Sequence, residues 1–227
     1  ITTRNSETRQ IHGQVLTGDL FNNLQGLKSE IEEFSLAVPS PYGERGSTMI
    51  YDEFELADGR IATFTDLNEG DLRELISVYN SVVEEEEYFL RNEGLSSIED
   101  ALEWFHKRVK AGMTYIAVKV NGDLVGGATI EPREGKASHV SYFGIYLRKE
   151  FRNLGIGTRL TRKIIELARQ KKFEIIQLYV FASNKQAIHI YNKLGFKEAG
   201  RIKNGVKLPD GTYTDEIVMT LHLWCKT

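Results

Sequence analysis

Residues 145–158 read IYLRKEFRNLGIGT: an apolar strand end, Ile145-Tyr146-Leu147, then Arg152-Asn153-Leu154-Gly155-Ile156-Gly157-Thr158 opening a helix. The helix is legible because Ile156, Leu160, Ile164 and Ala168 recur at helical spacing. Two glycines at the turn let the backbone pass close to a ligand and expose successive amides. The helix N-terminus adds a partial positive charge, so the turn suits a pyrophosphate. Three readings of the turn compete. A phosphate-binding P-loop ends in Gly-Lys-Ser/Thr, and no lysine precedes Thr158. A dinucleotide fingerprint requires a further glycine where Leu160 stands. A tight strand-to-helix turn with no ligand fits the same residues.

The flanking sequence alternates strands and helices. Upstream, RIATFTD (60–66) reads as a strand and Asn68 as a cap. The helix that follows carries Leu72, Leu75, Ile76, Tyr79 and Val83. Ser97 and Asp100 form a capping-box pattern before a second helix with Ile98, Leu102, Phe105 and Val109 in line. TYIAVKV and DLVGGATI flank Asn121-Gly122, a strong hairpin signal. A strand from His139 to Leu147 enters the glycine turn, and EIIQLYVF (174–181) reads as a buried strand. A short helix from Asn184 to Leu194, then Gly195-Phe196 and a strand near Glu216–Leu223, complete the chain. The order β-α-α-β-β-β-α-β-α-β predicts a mixed α/β domain over residues 49–227.

Residues 1–48 differ in character. The first 16 are polar, and Leu20, Leu24, Leu27, Ile31 and Phe34 then fall on one helical face before the Pro39–Gly46 loop. This reads as a tail and helical arm whose apolar stripe is covered by its own domain or by a second copy in a homodimer.

Across 227 residues, 41% hydrophobic and 27% charged composition excludes disordered and fibrous classes. A net charge of −3 gives no reason to expect a nucleic-acid or membrane partner. One cysteine, Cys225, excludes a disulfide framework, and with five scattered histidines no metal site is expected. No apolar run approaches the roughly 18 residues of a membrane span. With no apolar signal region after Ile1, the expected location is cytoplasmic.

Arg-x-x-Gly-x-Gly between a long strand and a helix resembles the acetyl-CoA loop of the GNAT N-acetyltransferase superfamily. Downstream, Asn184, Ala187, Tyr191 and Gly195-Phe196 are similar to that family's N-x-x-A-x-x-x-Y-x-x-x-G-F helix. The resemblance extends over residues 49–224. It implies a mostly antiparallel central sheet flanked by helices, with acetyl-CoA as cosubstrate and a primary amine as acceptor. It also implies that the backbone of Ile145, Tyr146 and Leu147 meets the pantetheine arm on a splayed strand. The amides of Arg152, Asn153, Leu154, Gly155, Ile156, Gly157 and Thr158 would take the pyrophosphate, and Asn184 would bond the pantetheine. Tyr191 would be the general acid for the departing thiolate, an assignment that competes with plain core packing because Ala187, Tyr191 and Leu194 share a face. A non-catalytic acyl-CoA sensor is the alternative function.

The base is where the sequence departs from those relatives. Histone-type members carry a glutamate on the strand before the loop, where this chain reads His139-Val140-Ser141-Tyr142-Phe143-Gly144. Ribosomal-protein alanine acetyltransferases carry one on the next strand, in a slot held here by Tyr179. Glu84–Glu87 and His139 are substitutes, each matched by a bland reading as solvated helix end or strand-end surface. The middle tyrosine of Ile145-Tyr146-Leu147 resembles phosphinothricin-type amino-acid acetyltransferases, and protein acetyltransferases look similar as well. The stretch 204–215 (NGVKLPDGTYTD) is either an acceptor-bordering loop, with Tyr213 and Asp215 as contacts, or a plain hairpin turn.

Overall fold

A computed structural model describes residues 48–89 and 94–224, together with the backbone of Gln10–Ile11 and Gln14–Val15, which pair antiparallel. The chain divides after Ser47, and the second unit is Thr48–Thr227. The arm stripe from Leu20 to Phe34 and Cys225 lie outside the described residues.

In chain order the second unit runs β1 (Ile50–Glu55), β2 (Ile61–Asp66), α1 (Leu72–Val83), α2 (Ile98–Lys110), β3 (Thr114–Val120) and β4 (Asp123–Pro132). Then come β5 (Val140–Leu147), α3 (Ile156–Gln170), β6 (Ile175–Phe181), α4 (Lys185–Lys193), β7 (Lys197–Lys207) and β8 (Tyr213–His222). The eight strands form one sheet in the order β1-β2-β3-β4-β5-β6-β8-β7. Every neighbouring pair is antiparallel except β5 and β6, which α3 joins as a parallel crossover.

Local signals explain the elements. Asn121 (φ 50°) and Gly122 (φ 96°) both take the left-handed conformation that a two-residue hairpin demands, closing β3 onto β4. Ser97 Oγ accepts from the Asp100 amide at 3.1 Å and starts α2. Ile156, Leu160, Ile164 and Ala168 are all fully buried, so the predicted stripe of α3 is the face that meets the sheet.

Two expectations need correction. The sheet has a strand before the first one predicted: IYDEFE, whose acidic residues disguise it and whose Asp52 binds Arg159 on α3 at 2.6 Å. The stretch 204–215 is a hairpin, as one of its two readings had it, but its strands reach further in: β7 runs to Lys207 and β8 begins at Tyr213, leaving a short turn held by Asp210 accepting from Thr212. A polar edge strand needs no apolar alternation, which hid β7 from the sequence pattern.

Alternation assigns the two faces of the sheet. Ile116, Phe143, Leu178, Ile217 and Met219 join α3, Tyr191 and Phe196 in one core. The opposite face carries Tyr115, Tyr142, Tyr146, Tyr179 and Glu216. On it pack α1, through Tyr79 against Tyr146, and α2, through Trp104 against Tyr115.

Candidate active site

β5 and β6 are hydrogen-bonded neighbours only over Val140–Tyr142 and Ile175–Gln177. Beyond Tyr142 the two strands part, while β5 stays paired to β4 as far as Leu147 opposite Gly126. One edge of Phe143–Leu147 is therefore open. The Arg148 amide donates to Val125 on β4 at 2.9 Å, so alternation turns the backbone groups of Tyr146 toward β4 and those of Ile145 and Leu147 into the gap. Tyr146 enters the site through its ring instead, edge-on to Tyr79 and Phe89.

The gap widens into a cleft of about 380 Å³. Its walls are Ile145–Leu147, the loop from Arg152 to Thr158, and Asn184, Ala187 and Tyr191 of the α4 segment, with Val82 of α1 and Tyr88 and Phe89 from the segment after it. Of the loop residues assigned from sequence, Arg152, Asn153, Gly155, Gly157 and Thr158 line it. Leu154 packs against the core and Ile156 is wholly buried in it, so these two can offer only their amides. Asn153 (φ 64°) and Gly155 (φ 81°) are both left-handed, which coils the loop ahead of α3. The first hydrogen bond of α3 runs from the Arg159 amide to the Gly155 carbonyl. The amides of Gly155 to Thr158 are thus free of helical partners, as at any helix start. Nothing lies within 4 Å of a Cβ built on Gly155, and only a Leu147 methyl at 3.9 Å approaches Gly157. An anion can reach these amides, and the residues present fit the pyrophosphate and pantetheine of acetyl-CoA.

Asn184 Oδ1 accepts from the Ala187 amide at 3.1 Å and caps α4. That bond orients its Nδ2 group, the part left for a ligand. Gln186 donates to Asn153 and ties α4 to the loop. Tyr191 is 8% exposed, with its ring 5.7 Å from Phe196 and 6.1 Å from Phe143. Burial pushes its phenol well above the ordinary tyrosine value, so it stays a donor.

Within the glutamate run, Glu84, Glu86 and Glu87 are exposed, whereas Glu85 is taken up by an ion pair. Glu85 makes a bidentate pair with Arg152, both bonds 2.6 Å, while Arg152 Nε donates to the Leu147 carbonyl at 2.9 Å. The Arg152 guanidinium also lies over Tyr88, 4.9 Å from the ring centroid. Burial works against the charged guanidinium, but the Glu85 bonds outweigh it and its pKa rises. Arg152 therefore staples the end of β5 to the segment after α1, a contact the sequence could not reveal. Arg152→Ala is expected to weaken the binding of acetyl-CoA about tenfold, roughly 1.4 kcal/mol, because Leu147 and Tyr88 both lose their tie. Isothermal titration with acetyl-CoA checks this, and unchanged affinity contradicts it.

Two residues weighed from sequence fall elsewhere. His139 is exposed at the start of β5, the end away from the cleft. Asp215 accepts from the Asn204 amide at 2.9 Å and pairs with Arg201 at 3.0 Å, which makes it a brace of the β7–β8 hairpin. Among the described residues no group of metal-ligating side chains is present, and no helix is long and apolar enough to cross a membrane.

The family described as "Acetyltransferase (GNAT) family" matches residues 72–196. The L-amino acid N-acetyltransferase AaaT of Escherichia coli (strain K12) is 33% identical over 112 residues, 48% of this chain and 68% of that relative. The L-methionine sulfoximine/L-methionine sulfone acetyltransferase of Pseudomonas aeruginosa is 26% identical over 167 residues, 71% of this chain and 95% of that relative. The fold is that of a phosphinothricin acetyltransferase of the GNAT superfamily from Sinorhizobium meliloti, solved in complex with AcCoA. The two superpose with a TM-score of 0.65 at 22% identity, covering 71% of this chain and 88% of that one.

Proposed function

Because this chain belongs to the GNAT acetyltransferase family and is an acetyl-CoA-dependent N-acetyltransferase, we propose that its acceptor is the α-amino group of a small free amino acid. The observation that carries the reading is Arg133, which lies over the Tyr142 ring, 5.5 Å from its centroid, at the vertex where β5 and β6 part. Among the described residues it belongs to no ion pair, so its guanidinium is available for an acceptor's carboxylate. The rings of Tyr142 and Tyr179, 6.1 Å apart, give an aromatic floor beside it. Two relatives named for amino-acid substrates support the same class.

In this reading the amides of Ile145 and Leu147 hold the pantetheine along the open strand edge, and those of Gly155 to Thr158 take the pyrophosphate. The Leu147 amide also faces the carbonyl oxygen of the thioester, whose charge grows as the amine attacks. Tyr191 donates to the leaving sulfur. The acceptor enters from the α1 and α2 face. Thiol release with an L-amino acid should exceed that with the corresponding decarboxylated amine by about tenfold or more, the worth of one charge-assisted carboxylate contact. Equal rates would remove the amino-acid assignment.

The reading extends to a homodimer joined through residues 1–48, supported by the Leu20-to-Phe34 stripe. Sedimentation of a chain shortened to Ser47–Thr227 should then show a smaller species than the full chain. An unchanged oligomeric state contradicts it.

A further inference from the structure

Glu216 is 9% exposed, and its Oε1 atom is buried with no hydrogen-bond partner among the described residues. Buried carboxylate oxygens are ordinarily paired, because desolvating a charge without a donor is costly. Glu216 sits on β8 opposite Phe181 of β6 and Ile202 of β7, neither of which can donate from its side chain. Ile217 and Met219 on the same strand enter the core with α3, so alternation turns Glu216 to the face of Tyr142, Tyr146 and Tyr179. On that face Tyr179, from β6, is raised first by burial, then by Tyr142 and by the Glu216 charge, while Arg133 lowers it. A carboxylate and a guanidinium thus flank the same pair of tyrosines. β6 is also the strand that forms one wall of the gap, and Glu216 lies one strand beyond it.

We propose that Glu216 receives the acceptor's ammonium group and takes its proton. The inference rests on the reading above that a free amine is acetylated on this face. An ammonium group brings three donors and a positive charge to an oxygen that has neither. One proton passes from nitrogen to a Glu216 oxygen, leaving a neutral amine. The nitrogen lone pair bonds to the thioester carbonyl carbon, and the carbon–sulfur bond breaks with its electron pair going to sulfur. The second nitrogen proton ends on that sulfur, completing the free thiol, and Glu216 returns the first to solvent. No other reactant is required.

Glu216→Gln keeps the side chain's shape and removes its charge. It should bind acetyl-CoA as the parent enzyme does, by titration calorimetry, and lose about 100-fold in kcat/KM for the amine at pH 7. The deficit should shrink about tenfold per pH unit toward the amine's own pKa, because solution then supplies the neutral amine. A variant within about threefold of the parent at pH 7, or a deficit constant from pH 7 to pH 9, overturns the proposal. Should Glu216→Gln fail to bind acetyl-CoA, Glu216→Asp decides. A slower enzyme with the parent's pH profile supports the role, and a rate rising tenfold per unit of pH contradicts it. If amines without a carboxylate react as fast as amino acids, the amino-acid reading falls while this test stands. If the parent enzyme acetylates no amine at all, both fall.

Discussion

Tyr191→Phe is expected to lower kcat about 100-fold while leaving the KM for acetyl-CoA within about twofold, the lower range for losing a positioned proton donor. The substitution keeps the ring, and with it the packing on Phe143 and Phe196, so a change in kcat reports the hydroxyl alone. Burial raises the phenol's pKa. A group with a raised pKa keeps its proton until the pH passes the raised value, so the donor is present at every pH where the thioester can be assayed. Tyr191 should therefore contribute no alkaline limb to the kcat profile below its ordinary value of 10.0. The coenzyme A thiol is a stronger acid than this buried phenol, so complete transfer from phenol to thiolate is uphill. The hydroxyl helps chiefly by hydrogen bonding to sulfur as negative charge develops in a dry site. If Tyr191→Phe turns over like the parent, the residue is core and the leaving group takes its proton elsewhere.

Gly126→Ala is the second substitution with a large expected effect. A Cβ built on Gly126 would stand 2.4 Å from the Tyr146 carbonyl oxygen and 2.9 Å from the Leu147 Cα, backbone atoms that cannot rotate away. β4 and β5 must separate at the position where Leu147 turns its amide into the gap. The expected cost is ~1–3 kcal/mol of stability, and a shift near 1 Å at the reacting end should cost about 100-fold in kcat/KM. Gly127→Ala is the control. Its Cβ meets the Tyr115 ring and hydroxyl at 2.5 Å, a clash with a buried side chain and not with the open strand. It should destabilise through Tyr115, whose hydroxyl bonds that of Tyr146 at 2.5 Å, and spare more of the activity. Urea unfolding together with steady-state kinetics separates the two. Equal loss of activity in both variants, at equal stability, would contradict the special position of Gly126.

What could be read from the sequence was local. The α3 stripe, the Asn121-Gly122 hairpin and the strand-to-helix turn at Gly155 each depend on residues within a few positions of one another, and each forms where the local pattern put it. β1 and β7 escaped because edge strands exchange the apolar alternation for charge, Asp52 and Glu53 in one and Arg201 and Lys203 in the other. The site divides along the same line. The loop residues and Tyr191 were legible as a motif, whereas the Glu85–Arg152 staple joins side chains 67 positions apart. Glu216 comes to the face of Tyr179 only because β8 inserts beside β6, out of sequence order. Tyr146 was placed correctly on the strand, but only the register with β4 reveals that its backbone is already used.

Amide hydrogen exchange with and without acetyl-CoA tests most directly that the open strand edge and the loop hold the cosubstrate. Protection should rise at Ile145, Leu147 and Gly155 to Thr158 and stay unchanged at Tyr146, whose amide already faces β4. Saturable binding that leaves Ile145, Leu147 and the loop amides exchanging as before would contradict it.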